Sequence, residues 1–105
     1  MKKGDLVLIP FPFKDLTGAK NRPVLILISD EANVTVSFIT TQLKWASDYD
    51  VDMQPSVKNG LKATSLIRLG KLATLDKNLV VGLMGELSEA EMEKVNQNLL
   101  RLFQL

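Results

Sequence analysis

The residues in this chain best placed to do chemistry are Arg22 and its neighbour Pro23. An arginine stays protonated, and its planar fork can bind two oxygens of one phosphate or carboxylate. Pro23 removes a backbone donor and pushes Arg22 away from helical dihedrals toward an extended conformation. The guanidinium is therefore expected at the lip of a strand that begins just after it. Farther along, Thr40-Thr41-Gln42 brings two hydroxyls and an amide to the end of an alternating segment. The chain contains no histidine and no cysteine. That excludes imidazole acid–base catalysis and a disulfide scaffold, and it disfavours zinc and other soft-metal sites. Proton transfers in any enzyme of this composition rest on carboxylates, Lys, Tyr, backbone, water or the substrate itself.

Net charge is only +1, but it is not evenly spread. Residues 1–29 carry +3, 30–57 carry −4, 58–77 carry +4 and 78–105 carry −2. The two basic segments could meet in space as one patch, the footprint of a phosphate-bearing partner; segregation of this size also arises on ordinary solvated faces. A hydrophobic fraction of 46 % and a charged fraction of 24 % fit a folded protein, and no apolar run approaches a membrane span. The start, Met1-Lys2-Lys3-Gly4-Asp5, has no long apolar region or small-residue cleavage site, so a cytoplasmic protein is expected. A length of 105 residues suits a single domain with one modest core.

The elements that must position these residues are mostly short strands. Leu6-Val7-Leu8-Ile9 anchors a strand over 4–13, with Pro10 and Pro12 confining its end to an edge or bulge. Residues 15–21 read as a loop, with Thr17-Gly18 a turn, and Val24–Ile28 as a second buried strand. Val34–Thr40 alternates like a strand with one face in the core. Short strands follow over 49–53 and 63–69, a helical turn over 75–79, and a last strand over 80–87. Ser88-Glu89-Ala90-Glu91 is a capping box, and Met92, Val95, Leu99, Leu102 and Phe103 form one apolar helical stripe expected to dock on the sheet. The fold class expected is mainly β with a C-terminal helix, a small and strongly bent sheet or barrel.

Six passages in order resemble the PemK/MazF-like toxins of bacterial toxin–antitoxin systems: Gly4-Asp5 before an apolar strand, Phe11-Pro12-Phe13, Gly18-Ala19-Lys20-Asn21-Arg22-Pro23-Val24-Leu25, Ile39-Thr40-Thr41-Gln42, Gly60-Leu61-Lys62-Ala63-Thr64-Ser65, and Leu72-Ala73-Thr74-Leu75-Asp76. No single passage is specific, but together they span nearly the whole chain. The resemblance implies an SH3-like β-barrel with a C-terminal helix, usually a homodimer. It also implies a metal-independent, sequence-specific endoribonuclease of single-stranded RNA that needs no cofactor. The RNA 2′-hydroxyl attacks the neighbouring phosphorus, which leaves a 2′,3′-cyclic phosphate and a 5′-hydroxyl. The implied partners are RNA, a cognate antitoxin, a second copy of the chain and, through the antitoxin, operator DNA; no membrane is implied.

By position, Arg22 matches the family's catalytic arginine, Thr40 its catalytic threonine, and Arg68 a second arginine that some members use as acid or phosphate binder. An internal nucleophile needs in-line positioning and charge stabilisation more than it needs a catalytic dyad. The acid that some members carry two residues after the second arginine is Gly70 here, and their loop histidine is missing, so the base is unassigned, with Asp15 and a water as the alternatives. Lys14, Lys20 and Lys71 are candidate phosphate contacts, Thr41 and Gln42 candidate RNA contacts, and Trp45 a base-stacking surface. Blander readings stand beside these. Arg22 would pair with Asp15 or another acid on the surface, Thr40 would bond across strands, the lysines would be solvated, and Trp45 would cover the barrel end or meet the antitoxin. Phe11 and Phe13 read as core or dimer-seam residues, and residues 14–21 as a wall of the groove. Two other functions fit the same fold: a toxin of the CcdB type that binds DNA gyrase without catalysis, or a degenerate, non-catalytic member.

Overall fold

The structure, a computed structural model, describes residues 1–11 and 20–105, apart from the side chain of Trp45. The expected Thr17-Gly18 turn, Lys14, Asp15, Phe13 and the side chain of Trp45 lie outside the described residues. The chain runs β1 (Asp5–Phe11), β2 (Lys20–Ser29), β3 (Asn33–Thr40), a 3-10 turn (Leu43–Trp45), β4 (Val51–Met53), β5 (Ser65–Asp76), a second 3-10 turn (Lys77–Leu79), β6 (Gly82–Glu86) and α1 (Glu89–Phe103). The strands form one six-stranded sheet in the order β4-β5-β3-β2-β1-β6. All its pairings are antiparallel, and the sheet curls into a half-barrel. The mainly β class with a C-terminal helix is as the sequence suggests.

Side chains alternate across a strand, so each strand of this sheet feeds two apolar clusters. On one face Leu6, Leu25, Ile67 and Leu69 join Val51, Met53 and Leu61, with Val95 of α1 packed among them. On the other face Val7, Ile9, Val24, Ile26, Val34 and Val36 gather, flanked by Phe38, Leu75 and Val80. This two-sided burial explains why β1 and β2 read as continuous apolar runs.

Helix α1 begins as its sequence dictates. Ser88 Oγ accepts the Glu91 N–H at 3.1 Å, and Glu91 Oε1 accepts the Ser88 N–H at 2.8 Å. Ser88→Ala is therefore expected to destabilise the protein by about 1 kcal/mol, measurable by chemical denaturation. Met92, Leu99 and Leu102 pack beside Val95 on the first cluster, but Phe103 does not complete the stripe and is 53 % exposed. The helix ends at that point, with Gln104 in a left-handed conformation at φ 58°, and the last apolar position falls beyond the sheet. The β2–β3 turn is closed by Asp30, whose carboxylate accepts the N–H groups of Asn33 and Ala32 at 2.7 and 2.8 Å. Those two bonds hold its pKa below the ordinary carboxylate value.

Two boundaries differ from the sequence reading in ways that matter for chemistry. Strand β2 starts at Lys20, so Arg22 lies inside a ladder opposite Ile9 instead of just before a strand. Pro23 is tolerated there because the β2–β3 ladder begins only at Val24, one residue past the proline that has no N–H to give. Strand β5 does not stop at Leu69 but runs on to Asp76 through an irregularity: Phe38 faces Arg68, yet the preceding Ser37 faces Leu72. Leu69, Gly70 and Lys71 are thus left without partners on β3.

Candidate functional site

An open cleft of about 420 Å³ lies where the second apolar cluster meets the ends of β1, β2 and β3 and the irregular middle of β5. Its described lining is Ile9, Phe11, Arg22, Pro23, Val24, Phe38, Ile39, Thr40, Arg68 and Lys71. The register explains the convergence. Ile9 is opposite Arg22, Val24 opposite Phe38, and Phe38 opposite Arg68, while Arg22 and Thr40 each lie two residues from a member of that row and hence on the same face. The bulge completes the set. In a regular strand Lys71, three residues after Arg68, would point to the opposite face; the unpaired Leu69–Lys71 step brings both side chains to one cleft.

Sequence reasoning named Arg22, Thr40, Arg68 and Lys71 separately, and the structure gathers all four. Of the remaining candidates, Lys14 and the Trp45 side chain lie outside the described residues, and Lys20, Thr41 and Gln42 are not in the described lining. Lys20 opens β2 opposite Phe11, and Thr41 and Gln42 are exposed just beyond β3. Trp45 closes the first 3-10 turn.

Each gathered group is held differently. Arg22 is exposed, and its guanidinium carbon sits 6.0 Å from the centre of the Phe11 ring, a cation–π distance. Thr40 Oγ1 accepts the Gln42 N–H at 3.0 Å, which spends an acceptor and leaves the hydroxyl proton available to donate. Arg68 is fixed at its backbone, where the buried Ser37 hydroxyl donates to its carbonyl at 2.8 Å. Its Nε lies 3.7 Å from the Asp50 carboxylate. A Cβ added at Gly70 would meet nothing within 4 Å among the described residues, so their packing does not forbid an acid at that position.

Phe11, expected in the core or a dimer seam, is 39 % exposed and forms a wall of the cleft. Its ring meets Phe38 edge-on, with centroids 5.9 Å apart and planes at 65°. Phe38 and Asp50 are residues that sequence reasoning missed. The signal for Phe38 was present, since it stands two places before Thr40 in an alternating strand. For Asp50 there was none, because nothing in the short strand expected over 49–53 distinguishes it from its acidic neighbours Asp48 and Asp52.

The described lining therefore carries Arg22, Arg68 and Lys71, no carboxylate, and a largely apolar and aromatic floor. Such a surface offers cations to a phosphate and ring faces to a base. Among the described residues no three His, Cys, Asp or Glu side chains gather as metal ligands, and no helix is long and apolar enough to cross a membrane.

Comparison with known proteins places the chain in a family and matches its fold. The sequence model for PemK-like, MazF-like toxins of type II toxin–antitoxin systems matches residues 2–103. Among solved structures, an endoribonuclease in complex with its cognate antitoxin, from a mycobacterial species, is 23 % identical, covers 100 % of this chain and 96 % of its own, and superposes with a TM-score of 0.79. The toxin MazF-mt6 of Mycobacterium tuberculosis is 23 % identical over 96 % of this chain and 97 % of its own, with a TM-score of 0.77. A mycobacterial endoribonuclease without antitoxin is 24 % identical over 100 % and 92 %, with a TM-score of 0.75. At such identities the structural likeness establishes the fold. No curated protein matches in sequence.

Proposed function

We propose that this chain, which belongs to the PemK-like, MazF-like toxins of type II toxin–antitoxin systems, is a sequence-specific endoribonuclease that cleaves single-stranded RNA without a metal ion. The observation that carries the reading is the convergence of Arg22, Thr40, Arg68 and Lys71 on one cleft with a Phe11–Phe38 wall. In this reaction the 2′-hydroxyl oxygen forms a bond to the adjacent phosphorus and the bond from phosphorus to the 5′-oxygen breaks. The 2′-hydroxyl proton goes to a base, the 5′-oxygen gains a proton, and the products are a 2′,3′-cyclic phosphate and a 5′-hydroxyl. The nucleophile belongs to the substrate, which is why a chain without histidine and cysteine suffices.

What the protein supplies is charge and alignment. Arg22 forks onto the phosphate oxygens as negative charge grows on them, and Thr40 donates its free hydroxyl proton to the same group. Arg68 approaches from β5 as a second cation or proton donor. Lys71 and Lys20 contact flanking phosphates, which positions the strand without reading its sequence. The base is not among the described lining residues, and Gly70 stands where some relatives carry an acid. A water is the simplest acceptor for the 2′-hydroxyl proton.

Phe11 and Phe38 stack splayed bases, as aromatic walls do in single-strand binding. Phe11→Ala is accordingly expected to weaken binding of a non-cleavable single-stranded RNA by about 1–2 kcal/mol, read by fluorescence anisotropy. The rest of the proposal is a single domain over 1–105 that acts in the cytoplasm as a homodimer, with an antitoxin that covers the cleft and links the pair to operator DNA. Support for the antitoxin is the related complex of an endoribonuclease with its cognate antitoxin.

The deciding experiment incubates the purified protein with a long RNA in EDTA and maps the new ends. Cleavage at a short recurring word with 5′-hydroxyl ends, lost in Arg22→Ala, supports the enzyme. Intact RNA at high protein concentration, with gyrase inhibited instead, overturns it in favour of a non-catalytic toxin.

A further inference from the structure

We infer that Asp50 is a positioning residue for Arg68, bracing its guanidinium from the side away from the cleft so that the outer fork faces a bound phosphate. The inference rests on the RNA-binding reading of the cleft. Asp50 precedes β4, whose pairing with β5 runs Met53–Ser65, Asp52–Leu66, Val51–Ile67. One further step of that register sets Asp50 beside Arg68, on the opposite flank from Phe38.

The two side chains differ sharply in exposure: 23 % for Arg68 and 2 % for Asp50. The carboxylate is thus an inward group that RNA does not reach, which rules it out as the missing base. It is itself anchored, because the Ser47 N–H donates to Asp50 Oδ2 at 3.0 Å, the same oxygen that faces Arg68 Nε at 3.7 Å. The Nε is buried and makes no hydrogen bond among the described residues.

A guanidinium is a rigid planar fork, so holding Nε beside Asp50 fixes the direction in which its terminal nitrogens point. Arg68 lines the cleft and Asp50 does not, so the carboxylate meets Arg68 from outside the cleft. Stability alone is a poor reason for this pair, because a buried ion pair often contributes no more than an apolar pair of the same volume. Holding a long, flexible cation in one pose is what the pair achieves.

The test uses the full chain as wild type, Asp50→Asn, Asp50→Glu, Arg68→Ala and the Asp50→Asn/Arg68→Ala double variant. Three quantities are measured: the single-turnover cleavage rate of a long unstructured RNA, the affinity for its fully 2′-O-methylated copy, and the thermal midpoint. Asp50→Asn is expected to slow cleavage by about 10- to 100-fold. Asp50→Glu, which keeps the charge on a longer arm, is expected to lose less. In the Arg68→Ala background Asp50→Asn is expected to change neither rate nor affinity, because its only route to RNA has been removed. A loss of the same size in both backgrounds, or no loss in either, overturns the proposal. If the wild type binds the methylated RNA but cleaves nothing, the nuclease reading fails alone and the coupling is read from affinity. Neither binding nor cleavage overturns both.

Discussion

Arg22→Ala is expected to lower RNA cleavage by about 10²- to 10³-fold, the usual loss when one preorganised donor to a developing oxyanion is removed. The same substitution is expected to leave folding stability within about 0.5 kcal/mol, as for most surface changes. The separation of the two effects follows from the geometry. Arg22 is exposed on β2, and the contact it makes among the described residues is with the Phe11 ring, so little packing is lost with it. Arg22→Lys retains the charge but loses the planar fork, and it is expected to recover only a fraction of the rate. Single-turnover rates with a thermal melt of each variant decide the matter. A variant that keeps its rate would remove Arg22 from the chemistry.

The second large effect concerns folding. Asn59 is fully buried, and all of its amide capacity is engaged. Its Oδ1 accepts the N–H groups of Ser56 at 3.0 Å and Leu61 at 2.9 Å. Its Nδ2 donates to the Gln54 carbonyl at 2.8 Å and to Glu91 Oε2 at 3.3 Å. One side chain therefore ties the turn before β5 to the first turn of α1, and Glu91 is shared with the cap of that helix. Asn59→Ala removes all four bonds and leaves the buried Leu61 N–H unpaired, at an expected cost of about 3 kcal/mol. Denaturant unfolding checks it, with an unchanged slope and an earlier midpoint as the expected result. The neighbouring Gly60, at φ 73°, adds a steric lock, since a Cβ there would strike the Met84 carbonyl. Neither residue lines the cleft, so Asn59→Ala assayed well below its melting point is expected to keep its cleavage rate.

How much of this was legible beforehand depended on whether a residue's role is set by its neighbours in sequence. The capping box of Ser88 and Glu91 is a local pattern, and it formed as written. The alternation over Val34–Thr40 fixed which side chains share a face, and Thr40 fell on the cleft side with Phe38. Arg22 was legible as a chemical group but not as a strand interior, because Pro23 normally marks a boundary and only the late start of the β2–β3 ladder makes room for it. The length of β5 was not legible, because Gly70 and Lys71 break the alternation that would have carried the strand onward, and the pairing resumes only through contacts with β3. Asp50 was invisible for a similar reason. Its meaning comes from a cross-strand neighbour eighteen positions away in sequence, not from anything beside it.

The unpaired step at Leu69–Lys71 also bears on how this chain tolerates change. Adding or deleting a residue inside a paired strand inverts every later side chain, turning core outward and surface inward. Here the ladder already skips, so slack is stored at the border between the segment that presents Arg68 and the segment that carries Leu72 to Asp76 into the sheet. A change of one residue at that border is absorbed locally, and the alternation on either side survives. The mouth of the cleft can thus be resized through lineages without renegotiating the core beneath it. A scan of single insertions along β5 would show this as one tolerant window in an otherwise intolerant strand.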